Sequence, residues 1–334
     1  MNFCTLFDSY YLDKGITLYK SLEKVSDDFK LYIFCFDDKS REVLLKENFK
    51  NAVILSHEDL EKEYSELVEL KKQRSKAEYC WTCTPASIDY VLNHFDVTNC
   101  TYIDADLYFF ADPKLLENEI NKAKADIVIT PHRFTNSLKD RRFLRRSGKY
   151  CVEFNYFNKS ENAKEALNWW REKCFEWCFH LYEPERMGDQ KYLEKFPTLF
   201  KGVHELTSLG GGVAPWNFAQ YSFGHIENNQ IYLMDNKSKE EFKLVFYHFQ
   251  DIRYLPGRKV NIKSNSHDKK MKFSVYKPYL KNVEETRRHL LDTYGIDFSP
   301  KKSYSSNKII AFLQRNVLQY KVKSLSDIIS LDEK

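Results

Sequence analysis

The chain has 334 residues, 43% of them hydrophobic and 16% aromatic, and a formal net charge of +4. That composition supports a substantial globular core, arranged as one large α/β domain with additions or as two ordinary domains. It excludes a membrane-spanning helix, since no run approaches the roughly 18 apolar residues required; Asp8 and Asp13 likewise interrupt any secretory leader.

In chain order, residues 3–7 read as a strand, and Ile16, Leu18, Tyr19 and Leu22 give a helical stripe. Residues 31–36 form a second, nearly continuous apolar strand ending in Asp37 and Asp38. A third short strand at 53–55 is capped by Ser56 before an acidic helix, and residues 77–93 predict another helix. The strand containing Cys100, Tyr102 and Ile103 then delivers Asp104 and Asp106. Strands apolar on both faces and alternating with helices predict a mainly parallel sheet covered by helices. Ligands in such sheets bind beyond the carboxyl ends of the strands. Asp8, Tyr10 and Tyr11 follow the first strand, so they share an edge with Asp104 and Asp106.

Asp104-Ala105-Asp106 carries the most chemical information. Side chains two apart on an extended chain leave on one side, and two such carboxylates repel unless a cation lies between them. Mg²⁺ and Mn²⁺ take oxygen ligands of this kind and share them with phosphates. Solvated turn or capping residues are the alternative. The apolar strand before the pair, and Tyr108, Phe109 and Phe110 after it, favour the metal, because acids enclosed by apolar sequence are costly unless paired.

Further along, residues 127–130 predict a strand, followed by Lys139, Arg141, Arg142, Arg145 and Arg146. Residues 151–157 are another strand, and 161–178 an aromatic-rich helix. Gly210, Gly211 and Gly212 mark a flexible turn ending at Trp216, and a late strand over 244–249 carries His248. Residues 262–272 predict a mobile loop, and 307–329 a final amphipathic helix. Residues 251–334 hold 18 Lys/Arg against 9 Asp/Glu, whereas 1–250 hold 34 against 39. The basic end suits an anionic membrane or acidic substrate, or is a solvated tail. The eight cysteines form no dense framework, so a reducing cytosol with free thiols is expected. Cys80/Cys83 and Cys174/Cys178 lie in helix-like sequence and read as buried core thiols rather than a zinc or redox site.

Together these segments resemble a GT-A-fold glycosyltransferase, most closely glycosyltransferase family 8, over roughly residues 1–255. The motifs that carry the resemblance are Asp104-x-Asp106, Gly188-Asp189-Gln190 and the strand with His248. It implies a GT-A, Rossmann-like catalytic domain (1–255) with a basic, mainly helical extension (256–334). It also implies Mn²⁺ or Mg²⁺ held by Asp104, Asp106 and His248. Thr5, Asp8, Tyr10, Tyr11 and Asp104 would bind the nucleotide. Arg74, Lys76, Asn155 and Arg253 would meet the donor sugar or phosphates. Asp189 and Gln190 would flank the reacting sugar, with Gln190 under the anomeric carbon. Two departures stand out: the histidine is followed by Phe-Gln-Asp-Ile-Arg253 in place of a Gly and a Lys-Pro-Trp run, and Asn155 is followed by Tyr156 and Phe157 without a small residue.

The resemblance implies a metal-dependent, retaining transfer of a sugar from a nucleotide diphosphate, with UDP the expected base. The acceptor would be a glycan or lipid-linked hydroxyl of the kind used in polysaccharide synthesis. The expected place is the cytoplasm or the inner membrane face, with the 307–329 helix on anionic lipid or packed back on the body. Rival readings are a sugar-nucleotide nucleotidyltransferase, which would carry a Gly-rich basic loop after its first strand, and a non-catalytic glycan-binding relative lacking a metal ligand. An RNA-binding role is disfavoured, because aromatic and basic residues do not alternate on a strand platform.

Overall fold

In the computed structural model, which describes residues 1–255, 259–262, 264, 266–299 and 328–330, the first apolar run becomes β1 (Asn2–Phe7). It leads through a single 3₁₀ turn (Ser9–Tyr11) into α1 (Leu12–Val25). Then come β2 (Lys30–Cys35), α2 (Asp38–Glu47) and β3 (Ala52–Ser56), with Asp37 accepting a bond from the Ser40 amide to start α2. The Asp59 carboxylate bonds the Ser56 amide and opens α3 (His57–Glu63), which is followed by α4 (Glu66–Gln73). A second capping box, Ser75 with Glu78, opens α5 (Lys76–His94). Next are β4 (Asn99–Ile103), β5 (Leu107–Phe109), α6 (Lys114–Ala123), β6 (Ile127–Pro131), α7 (Leu138–Ser147), β7 (Tyr150–Asn158) and α8 (Glu161–Glu176). After α9 (Phe196–Leu199) and β8 (Val203–Glu205) the chain forms the meander β9 (Tyr221–Glu227), β10 (Gln230–Asp235) and β11 (Glu241–Lys243). β12 (Phe246–His248), β13 (Arg253–Leu255), β14 (Lys259–Asn261), α10 (Lys269–Tyr294) and β15 (Ile328–Ser330) complete the described elements.

The central sheet has the order β3-β2-β1-β4-β7-β6-β8. Only β7 runs against the others, pairing antiparallel with β4 on one side and β6 on the other. The expected architecture, a mainly parallel sheet flanked by helices, is therefore the observed one. Alternate residues of each strand serve opposite faces: Cys4, Leu6, Tyr32 and Phe34 pack under α5 and α8, while Phe3, Phe7, Leu31 and Ile33 pack under α1 and α6. Gly15 of α1 sits directly on the Phe7 ring, where a methyl group would overlap it. That close approach seats the start of α1, and the turn before it, against the end of β1.

A third apolar cluster lies beside the sheet, where α10 covers β5, β12 and the meander. α10 also packs on α1: the Arg287 guanidinium bonds the buried Asp13 carboxylate at 2.6 Å, and Thr17 meets Thr286 at 3.3 Å. Because Asp268 caps α10, accepting from the Met271 amide, residues 269–272 are helical, and the loop expected there is shorter than the sequence suggested. The glycine turn at 210–212 is likewise not loose. Val245 and Phe246 both donate to the Gly210 carbonyl, and Val213 bridges to Tyr247, so the glycines admit backbone rather than ligand. The 307–327 part of the predicted last helix lies outside the described residues, and its last two positions, 328 and 329, belong to β15, a strand paired with β14 rather than a helix. Among the described residues, no helix is long and apolar enough to cross a membrane. The eight cysteines are free, seven of them buried.

Candidate active site

The carboxyl ends of β1 and β4, and the start of the reversed β7, open into a cleft of ≈ 1120 Å³. Two pairings build its floor. Beyond β4, Leu107 donates to the Asp104 carbonyl, closing a tight turn that carries Asp104 and Asp106. β5 then pairs antiparallel with β12 so that Leu107 faces His248, and the Phe249 amide bonds the Asp106 carbonyl at 3.0 Å. This register brings the late histidine to the aspartates. His248 Nε2 lies 3.1 Å from Asp106 Oδ1 and 3.6 Å from Asp104 Oδ2. One ligand atom from each of the three falls within 4.8 Å of the others.

Behind the histidine stands a group the sequence reading did not single out. Glu153 of β7 is fully buried, and its Oε2 accepts from His248 Nδ1 at 2.7 Å. The β6–β7 register shifts between Val128 and Thr130, and such irregularities re-aim side chains. The other oxygen of Glu153, Oε1, has no hydrogen-bond partner among the described residues. The one acid in a mainly apolar strand was the available signal, because a buried charge survives only when paired.

The electrostatics follow from this packing. Burial would lower the His248 pKa, but the charge and bond of Asp106, with bonds to Cys151 and Glu153, hold it well above its ordinary value. Asp106, despite burial, is held low by His248. Burial drives Asp104 up to about 6 against the pull of His248, aided by Asp106 and Glu153. Asp189 is pushed up to about 7, by burial first and then by the charge of Asp104. Three carboxylates thus surround one imidazole, an excess of negative charge gathered at one point. Two carboxylates and an imidazole are a donor set suited to Mn²⁺ or Mg²⁺, and a carboxylate behind the histidine is the usual support for such a ligand.

Of the other expected residues, Asp8, Tyr10, Tyr11, Lys76, Asp189 and Gln190 line the cleft. Asp8 caps the 3₁₀ turn through the Tyr10 amide at 3.0 Å, and Lys76 Nζ lies 3.6 Å from its carboxylate. The Asp189 carbonyl accepts from the buried Trp170 indole, and the Gln190 amide nitrogen donates to the Ser147 carbonyl at 2.6 Å. Four expected residues do not line the cleft. Arg74 is buried between helices, bonded to Thr82 and to the Phe175 carbonyl, with its guanidinium over the Phe179 ring. Thr5 lies fully buried within β1. Arg253 is exposed on β13, 3.7 Å from Asp251. Asn155 is buried opposite Tyr102, because β7 runs antiparallel and presents its beginning, Cys151 and Val152, to the cleft. Trp216 and His132 also line it, the Trp216 ring standing edge-on to His248 at 5.3 Å.

The chain is thus an α/β protein with a carboxylate–histidine cluster at the open edge of its sheet. No family model matches it. Two Bacillus subtilis (strain 168) proteins align with most of it. The uncharacterized protein YfnD is 31% identical over 288 residues, 85% of this chain and 88% of YfnD. The uncharacterized protein YfnF is 33% identical over 259 residues, 76% of this chain and 82% of YfnF. The chain belongs to the family of these two proteins. Among solved structures, mouse xyloside xylosyltransferase 1 in its apo form is similar with a TM-score of 0.45 at 14% identity, covering 75% of this chain and 98% of that one. The galactosyltransferase LgtC, in complex with donor and acceptor sugar analogs, also gives 0.45 at 14% identity, covering 66% of this chain and 77% of that one.

Proposed function

We propose that this protein is a metal-dependent glycosyltransferase that moves a sugar from a nucleotide diphosphate, UDP in first place, to a hydroxyl of a glycan or lipid-linked acceptor, with retention of configuration. The observation that carries this reading is the convergence of Asp104, Asp106 and His248 on one point at the floor of a large cleft. Asp104, Asp106 and His248 would hold the Mn²⁺ or Mg²⁺, which when bound supplies the positive charge that makes a diphosphate a good leaving group.

The rest is work for the chain's own side chains. Tyr10 and Tyr11 offer aromatic faces to the base, and Asp8 an acceptor to the ribose. Lys76, at the first turn of α5, offers the diphosphate a cation. Asp189, with its pKa near neutrality, both donates and accepts hydrogen bonds and suits a sugar hydroxyl. With its amide nitrogen tied to Ser147, Gln190 keeps its amide oxygen for the reacting carbon. In a front-face transfer the bond from the anomeric carbon to the diphosphate breaks as the bond to the acceptor oxygen forms. The acceptor proton passes to the departing phosphate oxygen, so no separate base is needed. In this reading residues 1–255 are the catalytic body and 256–334 an addition to it, and the protein works in the cytoplasm or at the inner membrane face.

Titration calorimetry of UDP with and without Mn²⁺ tests the reading. The expected result is tight binding only with the metal, lost in Asp106→Ala. Binding that ignores the metal and survives Asp106→Ala refutes it. A nucleotide-sugar panel, read by metal-dependent release of free nucleotide, then identifies the donor.

A further inference from the structure

α7 is placed oddly for a helix of a folded body. Of its ten residues only Asp140 is buried. A helix this short is marginal on its own in water, so it needs tertiary contacts to persist. Asp140, Phe143, Leu144 and Ser147 share its inward stripe, at the i, i+3, i+4, i+7 spacing. Asp140 is used locally: its carboxylate accepts from the Thr135 amide at 3.0 Å. The opposite stripe, at the same spacing, is Leu138, Arg141, Arg142 and Arg145, with Lys139 and Arg146 beside it. Among the described residues none of these five cations is engaged with a carboxylate. Leu138, at the helix tip, is 87% exposed.

The surroundings extend the pattern. Lys139, Phe143, Arg146 and Ser147 line the cleft, so α7 forms part of its rim. The Lys191 ammonium bonds the Arg145 carbonyl at 2.7 Å and lies 4.8 Å from the centre of the Tyr182 ring, which brings the segment with Leu181 and Tyr182 against the last turn of α7. Leu181 is 59% exposed, and Tyr10, on the cleft wall, 73%. Among the described residues, seven of the fourteen exposed large hydrophobics (Tyr10, Tyr11, Leu138, Phe143, Leu144, Leu181 and Tyr182) belong to segments on this rim. Unpaired arginines interleaved with exposed leucine and tyrosine match an interfacial surface: the cations meet anionic headgroups while the apolar tips enter the boundary layer. A soluble polyanion would use the arginines but gain nothing from Leu138.

We infer that α7 docks the mouth of the cleft onto an anionic lipid bilayer, with Arg141, Arg142 and Arg145 on the headgroups and Leu138 inserted. Docking itself is independent of the reaction; that the acceptor is lipid-anchored rests on the glycosyl-transfer reading. The contact surface is α7, not the basic C-terminal segment.

Co-sedimentation of the full chain with phosphatidylcholine vesicles, with or without about one-third phosphatidylglycerol, tests this. The expected result is binding to the anionic vesicles alone. The R141E/R142E/R145E variant lowers the partition coefficient about a hundredfold or more. Leu138→Ser lowers it about tenfold. R315E/K321E/K323E leaves it within about twofold of the parent, a small change on that scale. None of Leu138, Arg141, Arg142 and Arg145 lines the cleft, so UDP affinity stays at the parent value in these variants and reports separately on the proposed function. Equal binding to neutral vesicles, or loss in the C-terminal variant with retention in the α7 variant, overturns the inference. Binding that is indifferent to Leu138→Ser and fully displaced by soluble polyphosphate also overturns it and identifies a polyelectrolyte partner instead.

Discussion

Glu153→Gln keeps the shape of the side chain, removes its charge and leaves an oxygen able to accept from His248. Glu153→Leu removes the acceptor as well. In the parent protein the carboxylate meets His248 Nδ1 at 2.7 Å inside a fully buried site, which fixes the ring so that Nε2 faces Asp104 and Asp106. A hydrogen bond with a charged partner is worth about 1.5–3 kcal/mol, and loss of such support weakens metal binding about 10- to 100-fold, the same range expressed as affinity. The Gln variant is expected near the tenfold end and the Leu variant near the hundredfold end. Mn²⁺ titration calorimetry, with paramagnetic resonance counting free Mn²⁺, reads the effect directly. Metal-free UDP affinity and the unfolding midpoint serve as controls, because a merely structural role would move them together with the metal. Mn²⁺ binding by Glu153→Leu at the parent affinity would refute the assignment of Glu153 as a positioning residue.

Two further predictions concern stability. Burial holds the His132 imidazole at about 4 instead of 6.5. The unfolded chain therefore binds the proton more readily; the His132 contribution to stability is undiminished above about pH 6.5, declines as pH falls, and levels off below about pH 4, a span of about 3 kcal/mol. Guanidinium unfolding of the parent and His132→Phe at pH 7 and at about pH 4 checks this, and an equal difference between the two proteins at both pH values would contradict it. Gly15→Ala drives a methyl group into the buried Phe7 ring, an overpacking cost of about 1–3 kcal/mol that the helix propensity of alanine, about 1 kcal/mol, offsets only in part. A lower unfolding midpoint is expected; an unchanged or higher one would show that the ring moves freely.

Much of this arrangement was legible in the chain. β1, β2 and β4 are near-continuous apolar runs ending in acids, a pattern that belongs to buried parallel strands with a polar open edge, and Asp104 and Asp106 were found there. Strand direction was not legible, because apolar periodicity is the same in both senses. Asn155 towards the ligand is what the resemblance implies; the reversal of β7 presents Cys151 and Val152 to the cleft instead and leaves Asn155 buried opposite Tyr102. Arg74 at the donor is likewise what the resemblance implies; its guanidinium is instead held between helices by the Phe175 carbonyl, 101 residues away, a partner that no local pattern reveals. The pairing of β5 with β12, which carries His248 to the aspartates, joins segments about 140 residues apart and leaves no local trace.

The Asp13–Arg287 contact has a consequence for how the polypeptide is made. Asp13 is sealed from water in the first helix, and its counter-ion is translated 274 positions later. While the ribosome is still working towards α10, the amino-terminal half carries a carboxylate that it cannot enclose without penalty. Leu290 and Ile296, which complete the same apolar cluster, are also still missing. Closure of the α1 side of the sheet thus waits until α10 has been made, and a polypeptide cut short before residue 269 lacks both the counter-ion and the apolar cover of its first helix.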